Sequence, residues 1–219
     1  MTFILAWANK HGVAMVGDHY TLMGTSGMDV FNLDNSPRKV HRISMKGSYR
    51  PLLIGTAGVT ANHLLITHLQ NTPTALQQLQ ELKHMSEICA FFADWIHKSP
   101  FKGRDTTGIE GGLILAYDRQ VATINTQDGI CYTGSHLDTL GSIGTAIAIL
   151  NTLKRCKPDL VAETQEGLFI QEKGLPVILG TLSDTLSNQG VGRHWSGYVN
   201  KPTPKGAFIS ETCQVSFVV

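Results

Sequence analysis

Three side-chain types in this chain sit where they can do chemistry together. Thr2 follows the initiator Met1, Asp18 closes an apolar run, and Lys39 opens another. Removal of Met1 leaves Thr2 with a hydroxyl and a free α-amine on one residue. A hydroxyl with its own amine as base is an activated nucleophile. The amine suits the task because its reference pKa of about 7.7–8.0 leaves a useful neutral fraction near pH 7. Such a nucleophile needs a nearby cation, which a lysine with a carboxylate partner supplies, and an oxyanion donor, usually a backbone N–H beside glycine. Asp18, Lys39 and the Ala57-Gly58 turn are the candidates for these roles, and Ser135, Asp184 and Ser187 complete the set. Taken singly, each has a plain structural role as well: a turn residue, a strand-edge lysine, a tight strand-to-helix connection, a local cap.

The elements that must position these residues follow from the pattern of the chain. Phe3 to Ala8 and Val13 to Val16 are apolar strands around the turn residues Asn9-Lys10-His11-Gly12, a hairpin that delivers Asp18 beside the start of the first strand. His19 to Asp29 reads as a loop. A strand begins near Arg38 to Ile43, and Pro51 to Ile54 is buried strand ending in Gly55-Thr56-Ala57-Gly58. A helix follows through Leu64 to Leu69. Thr74 to about Ile96 reads as one further helix on the recurrence of Leu76, Leu79, Leu82, Met85, Ile88 and Phe92. Gly112 to Tyr117, Val121 to Asn125 and Ile130 to Tyr132 are strands. Helices are expected from about Leu140 to Leu153, Leu160 to Gln171 and Pro176 to Ser183, then strands over Val191 to Val199 and Ala207 to Val219. Blocks of strands and helices in this order give a layered α+β domain, one domain over 1–219.

Composition narrows the function classes. The 219 residues carry a formal charge of +1, with 42% hydrophobic and 16% charged side chains. A nucleic-acid protein would show a basic excess. There is no membrane-length apolar run and no signal-peptide pattern, and Cys89, Cys131, Cys156 and Cys213 are spaced as buried thiols of a reducing, cytoplasmic protein. His63 and His68 are five apart and off a common helical face, so no metal is expected, and no cofactor motif occurs. Gly141-Ser142-Ile143-Gly144 lacks the lysine of a P-loop and reads as packed helix.

The ordered set Thr2, Gly17-Asp18, Lys39-Val40, Gly55-Thr56-Ala57-Gly58, Gly134-Ser135 and Asp184-Thr185-Leu186-Ser187 resembles the β-type subunits of the proteasome and the related bacterial ATP-dependent threonine protease. These are N-terminal-nucleophile (Ntn) hydrolases. The resemblance implies a four-layer αββα sandwich, a threonine-type peptidase acting on peptide or amide substrates, a homo-oligomer in the form of a ring, and an ATP-dependent unfoldase as partner. It implies that Thr2 is nucleophile and base, that Lys39 tunes it and pairs with Asp18, and that Gly58 N–H is the oxyanion donor. Ser135, Asp184 and Ser187 would then support the amine. Two other functions fit the same residues: an Ntn amidohydrolase or transpeptidase acting on a small or specific amide, and an inactive structural subunit. The chain departs from the family pattern at His19-Tyr20-Thr21, where an arginine is usual, in the length from Asp18 to Lys39, at Asn62 and His136, and at Gly174-Leu175-Pro176.

Overall fold

The computed structural model describes residues 3–9, 12–18, 20–23, 26–29, 39–48, 50–57, 60–100, 112–126, 129–135, 137–141, 151, 155–156, 159, 161–164, 167–170, 180–181, 194–202 and 208–216. It is α+β, with two large antiparallel sheets and three helices among these residues.

The opening hairpin is β1 (Phe3–Asn9) with β2 (Gly12–Asp18), in a register that sets Ile4 against Gly17 and Asn9 against Gly12. It forms the middle of a seven-stranded sheet. On one side β2 pairs with β13 (His194–Pro202), which pairs with β14 (Phe208–Ser216). On the other, β1 pairs with β10 (Leu137–Gly141) along most of its length. Past that, at Asn9, it meets the hairpin β11 (Val161–Thr164) and β12 (Gly167–Ile170). The second sheet runs β5 (Val40–Ile43), β6 (Leu52–Ala57), β7 (Gly112–Tyr117), β8 (Gln120–Asn125) and β9 (Cys131–Ser135) in chain order. A short separate hairpin, β3 (Tyr20–Met23) with β4 (Ser26–Asp29), follows Asp18 directly.

Period-2 alternation explains how the sheets stack. Ile4, Ala6, Ala8 and Met15 on one face of the β1–β2 hairpin share a core with Leu53, Ile114 and Val121 of the second sheet. The other face of β6, β7 and β8 carries Ile54, Leu113 and Leu115 against the helices α1 (Thr60–Gln70), α2 (Pro73–Glu81) and α3 (Met85–Lys98). Strands buried on both faces read as unbroken apolar runs rather than alternating ones, which is the character of Leu52–Ala57 and Gly112–Tyr117. The described layers are therefore helix, sheet and sheet.

Several expected elements come out differently. The helix read from Thr74 to Ile96 is two helices, because Leu82 turns extended at ψ 145 and its N–H bonds back to Leu79. A fresh helix then starts where the Glu87 carboxylate accepts the backbone N–H groups of Lys83 and His84. Those two bonds hold the Glu87 carboxyl below its usual range. Val161–Thr164 and Gly167–Ile170 are the paired strands β11 and β12, not a helix, and Tyr20–Met23 and Ser26–Asp29 are the paired strands β3 and β4, not a loop. Leu140 and Gly141 end a strand instead of opening a helix. Most of 142–153 and 176–183 lies outside the described residues. No described helix is long and apolar enough to cross a membrane.

The β7–β8 turn is made by Asp118 (φ 41) and Arg119 (φ 71), both left-handed and neither glycine. Two left-handed residues joining two strands form the mirror-image turn that matches strand twist, and a β-carbon there costs energy. Arg50 pairs with Asp118 and holds the turn against the segment before β6. Arg119→Gly is expected to raise stability by about 1 kcal/mol, read as a higher urea midpoint with unchanged slope.

Candidate functional site

Asp18, Lys39 and the head of β1 meet in one place. Asp18 is the last residue of β2 and is 1% exposed. Its Oδ1 accepts the Phe3 N–H at 2.8 Å and the Lys39 ammonium at 3.0 Å. The Lys39 side chain is itself largely buried, at 10% exposure. Charge-assisted bonds of this kind are about twice as strong as neutral ones. One carboxylate oxygen thus fixes both the first described backbone amide and the cation.

The local folding reasons are visible. Gly17 lets β5 come close, since a β-carbon there would lie 3.2 Å from Val40 and 3.5 Å from Lys39 Cβ. Lys39 is tied from its backbone side too: its carbonyl accepts the Thr56 N–H at 2.9 Å. That bond sets Lys39 beside the end of β6. Trp195 on β13 lies opposite Asp18 in the register and packs edge-on to the Phe3 ring at 5.7 Å, closing the second side of the β1 head.

The other predicted site residues divide into two groups. Thr2, Gly58, Asp184 and Ser187 lie outside the described residues. Ser135 is described and stands apart. It ends β9, an edge of the second sheet, while Lys39 leads into β5 at the opposite edge. The chain then enters β10 at Leu137, opposite Trp7, four residues down β1 from Phe3. Gly134 and Ser135 are both strand. The residue facing Phe3 across the β1–β10 pair is Gly141, which Ser142 follows in the chain. The sequence reading weighed this second Gly-Ser only against a P-loop and took it for packed helix, and the signal for another reading is the same dipeptide at the far end of the strand. No group of three or more His, Cys, Asp or Glu side chains is arranged to hold a metal among the described residues.

No family model matches the chain, and no curated protein does. Solved structures do. The chain is similar to a Gly-1 mutant of Anbu from Hyphomicrobium sp. strain MC1 at TM-score 0.72 and 14% identity, covering 99% of this chain and 87% of that one. It is similar to Anbu, described as an ancestral β-subunit, from Yersinia bercovieri, at TM-score 0.70 and 16% identity over 98% and 87% of the two chains. A helical assembly of the Anbu complex from Pseudomonas aeruginosa matches at TM-score 0.68 and 17% identity, over 98% and 86%. These matches correct the family reading taken from the motifs. The structures named here are Anbu proteins, and identities this low carry the fold alone. The assignment to the threonine peptidase family is withdrawn; the fold is proteasome-like.

Proposed function

We propose that this chain is a proteasome-like structural subunit that builds a homo-oligomer. The observation that carries the reading is the fit of 98% of the chain to the subunit of a helical Anbu complex. Subunit contacts draw on surfaces from the whole fold, so a likeness that runs from end to end supports it better than a shared core would. In this reading the helical backbone of Asn151, Arg155-Cys156 and Gly180-Thr181 belongs to a fourth, helical layer. The test is light scattering of the purified protein across a concentration series, followed by electron microscopy. Rings or helical arrays are expected. A monomer at every concentration would refute it.

One observation favours a second role for the same subunit. The buried Asp18–Lys39 pair holds the nitrogen to which Thr2 is covalently joined. In this reading Met1 is removed and Thr2 Oγ attacks an amide carbonyl while its α-amine takes the proton. The Gly58 N–H receives the oxyanion, and Lys39 beside Asp18 keeps the amine neutral. The amine of the amide departs with that proton, leaving an acyl-ester that water or another amine resolves. Ser142 takes the place first given to Ser135, with Asp184 and Ser187 beside the Thr2 amine. The activity is an amidohydrolase or transpeptidase acting on a specific amide. Intact mass with and without an epoxyketone decides it. Loss of Met1 and one adduct, absent in Thr2→Ala, supports the chemistry. Retained Met1 without adduct leaves the assembly role alone.

A further inference from the structure

β14 ends the seven-stranded sheet, and among the described residues no strand lies on its far side. All nine of its residues, Phe208–Ser216, pair with β13 in an unbroken register. The other sheet ends are blunter. β5 and β11 have four residues each, and β9 has five, with a register shift against β8. Natural proteins guard an edge with short strands, bulges, proline or lysine. β14 has none of these, and Glu211 is the one charged residue in FISETCQVS. A long, unbroken edge offers a row of backbone N–H and C=O groups to another chain. We infer that β14 pairs antiparallel with β14 of a second copy, joining two seven-stranded sheets across a two-fold axis at Thr212. The inference rests on the homo-oligomer reading and names one of its interfaces.

The backbone limits where the axis can fall. Successive residues of a strand direct their N–H and C=O groups to opposite edges, so every second residue of β14 turns these groups away from β13. Two copies related by a two-fold axis bond only if those outward residues meet each other. That puts the axis on a residue, not between two. Centring on Thr212 uses all nine residues of the strand. Phe208 then stands opposite Ser216, Ile209 opposite Val215, Ser210 opposite Gln214 and Glu211 opposite Cys213. This register sets β-branched residues against each other at Ile209 and Val215 and at Thr212 itself. It yields about eight to ten backbone hydrogen bonds. An axis on Glu211 places two carboxylates directly opposite, which destabilises the pair. An axis on Cys213 overlaps only residues 210–216. The same strand serves both copies, as a closed two-fold contact requires.

The experiment uses the full chain. Opposed Cα atoms in an antiparallel pair are about 4.5 or 5.5 Å apart, and both spacings fit a disulfide. Thr212→Cys, made together with Cys156→Ser and Cys213→Ser, is expected to give a covalent dimer on mild oxidation, mapped by mass spectrometry to a peptide joined to its own copy at position 212. Wild-type Cys213 stands opposite Glu211 and is expected not to link to its copy. Thr212→Lys sets two ammonium groups opposite each other, and the assembled mass from light scattering is expected to fall at least twofold. An equimolar mixture with Thr212→Glu restores it, which also shows that both variants fold. A wild-type assembly with no link at position 212 and full size in Thr212→Lys overturns the proposal and leaves the homo-oligomer reading standing, as does a link through Cys213. A wild-type monomer at every concentration refutes that reading, and this interface with it.

Discussion

Lys39→Met is expected to cost about 3–5 kcal/mol of stability, because it takes the bonded ammonium away from a buried carboxylate. Asp18 is 1% exposed, so water cannot replace the ammonium without opening the β1 head. Asp18→Asn is expected to be milder, since the amide oxygen still accepts the Phe3 N–H. Lys39 keeps some access to solvent, at 10% exposure. The double variant Asp18→Asn/Lys39→Met removes both charges and recovers a large part of the loss. Urea unfolding of the four proteins gives the coupling energy directly. A single-variant cost under about 1 kcal/mol would match a screened surface pair and would end the view of this pair as the buried anchor of the site.

Gly197→Ala is expected to abolish folding or to cost more than about 4 kcal/mol, a size reserved for gross steric conflict. A β-carbon at 197 would land on the Met15 carbonyl oxygen and lie 2.7 Å from Val16 Cα. Both are backbone of β2, which cannot yield without moving Asp18 two residues on. Gly47→Ala is the control. Gly47 has φ +70 and open space around its missing side chain, so the substitution carries only the backbone cost of about 1–2 kcal/mol. Comparable losses at the two positions would show that β13 lies farther from β2 than the register Gly197 to Val16 requires.

The β1–β2 hairpin and its delivery of Asp18 were legible because both strands are apolar and the turn residues between them are unambiguous. Lys39 was legible as a strand opener, and the ion pair followed from two strands meeting at one glycine, Gly17. The helical region misled because Leu79, Leu82, Met85 and Ile88 keep a helical period straight across the break at Leu82. Pro73 at the first turn of α2 and Glu87 three residues after His84 were the signals of two separate starts. Val161 to Ile170 misled through its glutamates and glutamine, which favour helix. Its β-branched and aromatic ends and Gly167 favour the hairpin that tertiary pairing with Asn9 selects. The place of Ser135 in the sheets was not legible because a Gly-Ser dipeptide carries no register. Only the pairing of β10 with β1 shows that Gly141 is the residue opposite Phe3.

The placement of β1 and β2 also sets a schedule for synthesis. These strands leave the ribosome early, and the segments that flank them, Leu137–Gly141 and His194–Pro202, leave late. Until both have emerged, the hairpin has two unsatisfied edges and apolar side chains on both faces. Pairing between such distant segments makes folding slow and leaves the nascent chain prone to aggregation. The β1 head therefore reaches its Asp18 anchor and Trp195 neighbour together only once β13 has been translated.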